Sequence, residues 1–408
     1  MSDVGLFEPG MVGPIEVRNR IVRAGTSEGM GDERGGVTAR LVALYEEIAR
    51  NRVGLMITGH LYVQRRGMYA VGQTGIDSDD LVPGLARVAE AAHRHGAKIL
   101  AEVAHAGSQS RVPDNEPLAP SPVPNQLTGR PVGEATEEEI EEALEAFTAG
   151  ARRAIEAGFD GVHIHGANGY LISEFSSPIA NRRTDSWGGS PEQRDRFALE
   201  LVRRLRAVVP ADRALTMKLG MFDAVEDPNG LKVDEAVRRA GRLVAEGLDA
   251  IEVSCNVMTL PSDSAATYVA VDRRRAFDDL LFHRLHKRPG PEAYFLPLAH
   301  ALRAEVDTKV ILVGGLRTRE TLERVIADDA VDFVAMARPF IREPDIARQL
   351  EEGRQGMVDC VSCNLCLMHE GHYELRCWRI PRRALLEHAV YRFTGGFKRG
   401  PTLGLKKH

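Results

Sequence analysis

The chain has 408 residues, with 53 Lys and Arg against 58 Asp and Glu, which gives a formal net charge of −5. This near balance excludes a strongly basic nucleic-acid binder on charge alone. No run approaches the roughly 18 apolar residues that a membrane span needs. The N-terminus, MSDVGLFEPGMVG, lacks the basic and apolar regions of a secretory signal, so we expect a cytoplasmic protein that binds neither nucleic acid nor membrane.

Eight short apolar, β-branched runs alternate with longer amphipathic segments, and such runs are typical of parallel strands buried on both faces. The predicted strands are 20–24, 54–58, 98–103, 161–165, 214–219, 250–254, 309–313 and 332–336. The predicted helices include 81–96, 137–158, 191–209, 234–247 and 292–306, and Thr136 with Glu139 forms a predicted capping box at the start of the second of these. This alternation predicts an α/β fold, a (β/α)8 TIM barrel.

A doubly wound sheet is the rival architecture, and it is disfavoured because no G-x-G-x-x-G follows the first strand. The alternation stops near residue 350. We therefore expect a barrel over 1–350 and a C-terminal extension over 351–408. Two long connections, 107–131 and 256–291, each follow a predicted strand. They should rise from the C-terminal face of the barrel, where active sites lie, and shape substrate binding.

Three polar side chains follow the fourth predicted strand at offsets that suit one pocket. His165 and Asn168 would donate hydrogen bonds to a single carbonyl or nitro oxygen and so polarise it. Tyr170 would deliver a proton to carbon. On composition alone the alternative stays open that Tyr170 is a core aromatic residue and Asn168 a turn residue.

A second signal lies after the seventh and eighth strands, where barrels often bind phosphate. Gly314 and Gly315 expose backbone N–H groups after the seventh strand, and Ala337 and Arg338 follow the eighth. The Arg338 guanidinium is a forked cation suited to phosphate oxygens. The paired position of the two motifs predicts a phosphate site.

Several motifs in collinear order resemble the old yellow enzyme family of FMN-dependent ene-reductases. They are LFEP…VRNRIVRAG near the N-terminus, HAG at 105–107, IHGANGYL…F…SPIANRRTDSWGGSPEQRDRF at 164–197, VGGLRT at 313–318 and ARPFIREPD at 337–345. The resemblance covers about residues 5–350. It implies a barrel with FMN across its C-terminal mouth, reduced by NAD(P)H, and a homo-oligomeric enzyme acting on a small enone-type substrate.

The resemblance also implies roles for individual residues. His165 and Asn168 would hold the activating oxygen of an α,β-unsaturated carbonyl compound, flavin N5 would give hydride to the β-carbon, and Tyr170 would protonate the α-carbon. The matching cofactor-binding positions are Ala24, Gly25, Thr26, Ser27, His60, Glu102, Lys218, Gly314, Gly315, Ala337 and Arg338.

Some of these positions depart from the family pattern. Glu102 stands where Gln is common, and a carboxylate accepts hydrogen bonds but does not donate them unless protonated. Lys218 stands where Arg is common, so the cation is kept and the forked geometry is lost. We hypothesise that Glu102 and Lys218 are a compensating pair. His60 occupies a usually small position near flavin N5, with a solvent-facing loop histidine as the alternative, and Ser27 is placed to bind flavin O4.

The C-terminal extension contains four closely spaced cysteines, Cys360, Cys363, Cys366 and Cys377. Their spacing resembles the cluster motif of the larger dienoyl-CoA reductase and trimethylamine dehydrogenase group, in which four thiolates hold a [4Fe-4S] centre. Structural zinc and free thiols are the alternatives for these residues.

These observations together predict an FMN-dependent oxidoreductase that reduces activated C=C bonds with NAD(P)H. The first rival is an iron-sulfur flavoprotein dehydrogenase or reductase of the dienoyl-CoA or amine type, served by a separate electron-transfer partner. The second is a flavin-binding module without catalysis, against which the intact His165, Asn168 and Tyr170 argue. The physiological substrate and the choice between NADH and NADPH stay open.

Overall fold

A computed structural model describes residues 5–112, 115–125, 129–223, 227–257, 291–362 and 365–396. The eight predicted strands are all present, and their ends lie within a residue or two of the predicted ones. The strands in chain order are β1 (Gly10–Val12), β2 (Ile15–Val17), β3 (Ile21–Arg23), β4 (Leu55–Ile57), β5 (Leu61–Tyr62), β6 (Lys98–Ala104), β7 (Gly161–Gly166), β8 (Ala214–Gly220), β9 (Ala250–Ser254), β10 (Lys309–Val313) and β11 (Phe333–Met336).

Eight of these strands close into a parallel barrel. The hydrogen-bonded order runs from β3 through β11, β10, β9, β8, β7 and β6 to β4, which pairs again with β3. Leu55 lies opposite Lys98 where β4 meets β6, and Val334 lies opposite Ile21 where β11 meets β3. The short β5 adds to the C-terminal end of β6. This closure confirms the predicted barrel.

Helices surround the strands in the alternation that the sequence indicates. They are α1 (Ala39–Arg50), α2 (Val82–His93), α3 (Glu137–Glu156), α4 (Leu171–Ser176), α5 (Pro191–Val208), α6 (Val233–Ala245), α7 (Leu296–Glu305), α8 (Arg319–Ile326), α9 (Arg338–Arg342), α10 (Ile346–Glu351), α11 (Leu365–Met368) and α12 (Arg382–Phe393). The predicted capping box is present at the start of α3, where the Thr136 hydroxyl accepts from the Glu139 N–H and the Glu139 carboxylate accepts from the Thr136 N–H. Across the described ranges, no helix has the length and apolarity needed to cross a bilayer.

The antiparallel hairpin of β1 and β2 was not predicted. Its buried side chains, Val12, Ile15 and Val17, pack with residues at the strand starts, among them Ala214 and Phe333. The hairpin therefore closes the N-terminal end of the barrel and leaves the carboxyl ends of the strands as the open face.

The chain beyond α10 returns to that open face. The Val358 N–H donates to the Arg317 carbonyl at 3.0 Å, and the Leu375 N–H donates to the Glu28 carbonyl at 2.7 Å. The segment that carries the cysteines is thus attached to the loops that follow β3 and β10. The division at residue 350 stays a prediction.

Candidate active site

A cavity of about 400 Å³ opens at the carboxyl ends of the barrel strands. Every residue predicted to be catalytic or cofactor-binding lines this cavity except Ala24. The residues in question are Gly25, Thr26, Ser27, His60, Glu102, His165, Asn168, Tyr170, Lys218, Gly314, Gly315, Ala337 and Arg338. Ala24 instead belongs to the buried cluster that also contains the hairpin residues Val12, Ile15 and Val17. The long connection at 256–291, predicted to shape substrate binding, falls outside the described residues from 258 to 290.

Glycine is required at three positions of the cavity wall. A Cβ atom on Gly25 would lie 2.1 Å from the Glu102 carboxylate. Gly314 and Gly315 have φ angles of 120° and 75°, a backbone region that side chains rarely allow. A Cβ on Gly315 would lie 2.6 Å from the Pro291 carbonyl oxygen. The backbone at these positions can therefore approach a bound molecule closely.

His165 is the last residue but one of β7 and forms a hydrogen bond with a carboxylate from β6. Its Nδ1 lies 2.7 Å from Oε1 of Glu102, which is 1% exposed. Burial alone would raise the pKa of Glu102, but the interactions with His165 and then Lys218 outweigh it and hold the pKa well below its ordinary value. The other ring nitrogen of His165, Nε2, has no hydrogen-bond partner among the described residues, so it is available to a ligand in the cavity.

Lys218 on β8 forms its ion pair with a residue that the sequence did not single out. Its Nζ lies 2.5 Å from Oε1 of Glu252 on β9, and Oε2 of Glu252 lies 3.3 Å from Nε2 of His163. Burial alone would lower the pKa of Lys218, but Glu252 and then Glu102 outweigh it and raise the pKa. The direct partner of Lys218 is thus Glu252 and that of Glu102 is His165, while Glu102 and Lys218 still shift each other's pKa, so their compensation stays a hypothesis.

Asn168 stands in the turn after β7 with a φ of 62°, a region that Asn tolerates better than most residues. Its N–H donates to the Cys255 carbonyl at 3.0 Å, and its own carbonyl accepts from Nε2 of Gln109 at 2.7 Å. The side-chain Nδ2 lies 3.3 Å from the Ser254 hydroxyl. The same nitrogen lies 3.5 Å from Sγ of Cys255, a weak acceptor that a ligand oxygen would replace.

Tyr170 belongs to an aromatic cluster on one side of the cavity. Its ring centroid lies 4.6 Å from that of His165, 5.4 Å from that of His60 and 5.7 Å from that of Tyr69. Burial raises the pKa of Tyr170 well above its ordinary value, so the phenol keeps its proton at neutral pH. The structure thus places a protonated phenol beside an imidazole with an available nitrogen.

Two guanidinium groups meet at the predicted phosphate end. Arg317 and Arg338 both line the cavity, and Nη1 of Arg317 is buried with no hydrogen-bond partner in the described part of the chain. Burial, and then the positive charge of Arg338, lower the pKa of Arg317. Two neighbouring cations beside the Gly314–Gly315 amides form a site that an anion would stabilise.

The C-terminal extension also lines this cavity. Ser362, Cys366, Leu367, Glu370 and Tyr373 are among its wall residues. The Glu370 carboxyl faces Ser27, Tyr69 and Arg111, and burial raises its pKa despite these neighbours. The extension therefore contributes side chains to the site.

The described cysteines of the extension, Cys360, Cys366 and Cys377, line a second, smaller cavity. Arg338, Ser362 and Cys366 line both cavities, so the two adjoin. Cys363 lies outside the described residues. Among the described residues, no group of three or more His, Cys, Asp or Glu side chains is arranged to hold a metal ion.

Most of the chain matches one protein family. The profile described as NADH:flavin oxidoreductase / NADH oxidase family matches residues 5–356. The chain belongs to this family. The resemblance to the old yellow enzymes is therefore confirmed, and the family supports the predicted FMN-dependent oxidoreductase.

Two curated relatives and one solved structure show how the chain compares within the family. It is 36% identical over 365 residues to an NADH oxidase of Thermoanaerobacter brockii, covering 88% of this chain and 53% of that protein. It is 36% identical over 340 residues to an NADPH dehydrogenase of Geobacillus sp. (strain WCH70), covering 83% and 91%. A 2-naphthoyl-CoA reductase complex superposes with a TM-score of 0.80 at 26% identity, covering 93% of this chain and 57% of that one. The chain thus spans about half the length of some relatives.

The cavity fits the FMN that the family uses. The wall supplies glycine amides and two guanidinium groups for a phosphate at one end, and an unpartnered imidazole nitrogen and a buried ammonium at the other. The chemistry of these donors suits a phosphorylated flavin, and the Lys218 ammonium would stabilise the negative charge that a flavin gains when it is reduced.

The sequence analysis missed several residues of the site, and four of them show why. Arg317 lies within the VGGLRT motif, whose glycines alone drew attention. Glu252 is a charged residue in the middle of an apolar strand, a signal that was available. Gln73 and Glu370 lie outside any motif, and only the fold brings Glu370 to the cavity and Gln73 into contact with His60.

Proposed function

We propose that this protein reduces activated C=C bonds of α,β-unsaturated carbonyl compounds with electrons from NAD(P)H. The observation that carries the proposal is the unpartnered Nε2 of His165, which shares one cavity with the Asn168 amide and the Tyr170 phenol. FMN, when bound, supplies the hydride chemistry between the nicotinamide and the β-carbon of the substrate.

The residues have separate tasks in this proposal. His165 and Asn168 hold the carbonyl oxygen and stabilise the negative charge that develops on it. Tyr170 gives its proton to the α-carbon, and Lys218 stabilises negative charge on the flavin side of the site. The aromatic wall of His60, Tyr69 and Tyr170 excludes water from the acceptor.

The substitution Tyr170→Phe tests the assignment. We expect reoxidation of the reduced enzyme by cyclohexenone to slow by about 10²- to 10⁴-fold, the usual contribution of a general acid. Reduction by NAD(P)H should change little, because no proton reaches carbon in that step. Rapid-mixing absorbance at the flavin band, without oxygen, follows both reactions. Equal slowing of the two would contradict the role of Tyr170.

A second proposal concerns the cysteines. We propose that Cys360, Cys363, Cys366 and Cys377 hold a [4Fe-4S] cluster, which would pass single electrons to or from the flavin. It is supported by the three described cysteines that line one cavity next to the flavin cavity. This arrangement also keeps the alternative of a dienoyl-CoA-type or amine-type enzyme with a separate electron-transfer partner.

Metal analysis of protein purified without oxygen tests the cluster. We expect about four irons per chain and absorbance beyond the flavin bands, both lost in Cys366→Ser. Zinc in place of iron, or neither metal, would contradict the cluster. The cytoplasmic location and a homo-oligomeric state remain further proposals.

A further inference from the structure

Tyr170, the proposed general acid, is in contact with His60, to which the proposal so far gives only a packing role in the aromatic wall. Nε2 of His60 lies 3.4 Å from the Tyr170 hydroxyl oxygen, and the two rings meet edge to face. Both side chains are buried. Which of the two groups donates the hydrogen depends on where the imidazole carries its proton.

Gln73 decides this question. Its Oε1 accepts a hydrogen bond from the Tyr69 N–H at 2.6 Å, so the amide oxygen is already assigned. The Nε2 amino group of Gln73 therefore points the other way, where it donates to the His60 carbonyl at 2.9 Å and lies 2.7 Å from Nδ1 of His60. An amide orientation with the atoms exchanged would place an N–H against the Tyr69 N–H.

Because an N–H donor faces Nδ1, that nitrogen must be the acceptor and carry no proton. A neutral imidazole has one N–H, and it is then on Nε2, directed at the Tyr170 oxygen. Burial and the nearby charge of His165 lower the pKa of His60 to about 4, which agrees with a neutral ring. The Tyr170 oxygen is therefore an acceptor, and its own hydrogen is left to point elsewhere.

We propose that Gln73 and His60 are positioning residues that orient the Tyr170 proton toward the substrate and stabilise the phenolate that remains. This inference rests on the proposed function. In the step, the Tyr170 O–H bond breaks and a C–H bond forms at the α-carbon, using the electron pair left there when hydride adds to the β-carbon. The His60 Nε2–H stays in place, and solvent returns the proton to Tyr170.

Two variants of His60 separate this role from a packing role. His60→Leu removes the donor, whereas His60→Gln keeps an amide N–H near the position of Nε2. We expect His60→Leu to slow reoxidation by cyclohexenone about 10- to 100-fold, the value of a hydrogen bond to a charged group. His60→Gln should be slowed clearly less, and reduction by NAD(P)H should be similar in both. Equal rates for the two variants would overturn the proposal.

Gln73→Glu replaces the hydrogen-bond donor that faces Nδ1 of His60 by an acceptor of nearly the same volume. Its carboxylate would accept from Nδ1 and so move the imidazole proton away from Nε2, which would then compete for the Tyr170 hydrogen. Reoxidation should slow as in His60→Leu. Histidine-selective ¹⁵N NMR reads the protonated nitrogen directly: Nε2 in the parent holoenzyme and Nδ1 in Gln73→Glu.

The NMR result for the parent protein does not depend on any variant folding. An Nδ1–H form of His60 there would overturn the proposal. If Tyr170→Phe slows reoxidation while His60→Leu does not, this inference fails and the proposed function stands. If Tyr170→Phe has no effect, both fail.

Discussion

The Glu102–His165 contact predicts that the activating histidine works as an imidazolium. The Glu102 carboxylate accepts from Nδ1 of His165 at 2.7 Å. Nε2 can then donate to a substrate oxygen only if the ring carries a second proton. The Gln common at this position in the family would instead allow a neutral ring with its single proton on Nε2.

Glu102→Gln tests this reasoning. A hydrogen bond to a charged group contributes about 1.5–3 kcal/mol, against about 0.5–1.5 for a neutral one. The loss of the charge should therefore raise the activation free energy of reoxidation by an enone by about 1 kcal/mol, which slows this step roughly 5- to 10-fold.

Anaerobic rapid mixing of reduced enzyme with cyclohexenone at one fixed pH gives this rate. If Glu102→Gln reoxidised at the parent rate, the imidazolium assignment would be wrong.

Three further predictions concern buried ionisable residues, Glu252, Glu174 and Arg317. Glu252→Gln leaves the buried Lys218 ammonium, 2.5 Å away, without its partner, and should lower the free energy of unfolding by about 3–5 kcal/mol. Adding Lys218→Met in a double variant should restore part of this loss. Chemical denaturation at saturating FMN measures the free energy of unfolding, and additive effects of the two substitutions would contradict the pairing. Burial raises the pKa of Glu174 to about 8 against an ordinary 4.5. The folded state therefore holds this proton more tightly, and stability should fall by up to about 1.4 kcal/mol per pH unit between those values as pH rises. Glu174→Gln should lose that slope, and parallel curves for the two proteins would refute the assignment. Arg317→Met should weaken FMN binding by about 10- to 100-fold, because a charged hydrogen bond to phosphate is lost. Riboflavin, which has no phosphate, should bind to Arg317→Met as it does to the parent protein. Equal weakening of both ligands would contradict a phosphate role for Arg317.

The barrel was predictable because its strands are buried on both faces. Runs such as KVILV and AIEVS are nearly continuous in apolar residues, and each is followed by a helical pattern. The hairpin of β1 and β2 was not predictable, because strands of three residues are too short to show an alternating pattern.

The candidate site was predictable where a residue belongs to a motif. His165, Asn168 and Tyr170 reach the cavity that the resemblance implies. Gln73 does not belong to a motif, and its importance depends on a backbone contact to Tyr69 that fixes its amide. A polar residue in a loop gives no sign of such a constraint, since the hydrogen-bond direction exists only in the folded chain.

The contribution of the extension was also beyond the sequence. The short spacing of the four cysteines indicates that they form one site, and the three described ones line one cavity. Nothing in that spacing says that the neighbouring Glu370 would face Ser27 and Tyr69 at the flavin cavity. That contact depends on how the chain beyond α10 returns across the strand ends.

The departures from the family pattern at positions 102 and 218 together add one negative charge to the site. Replacing the common Arg by Lys218 keeps one positive charge, but replacing the common Gln by Glu102 adds a negative one. Lys218 is already balanced by Glu252 at 2.5 Å, so the Glu102 carboxylate, 1% exposed, needs another cation. Nδ1 of the His165 ring lies 2.7 Å from it and is the hydrogen-bond donor that faces it. Glutamate at position 102 therefore implies a charged donor at the substrate oxygen, and the added carboxylate has its physical reason in the imidazole beside it.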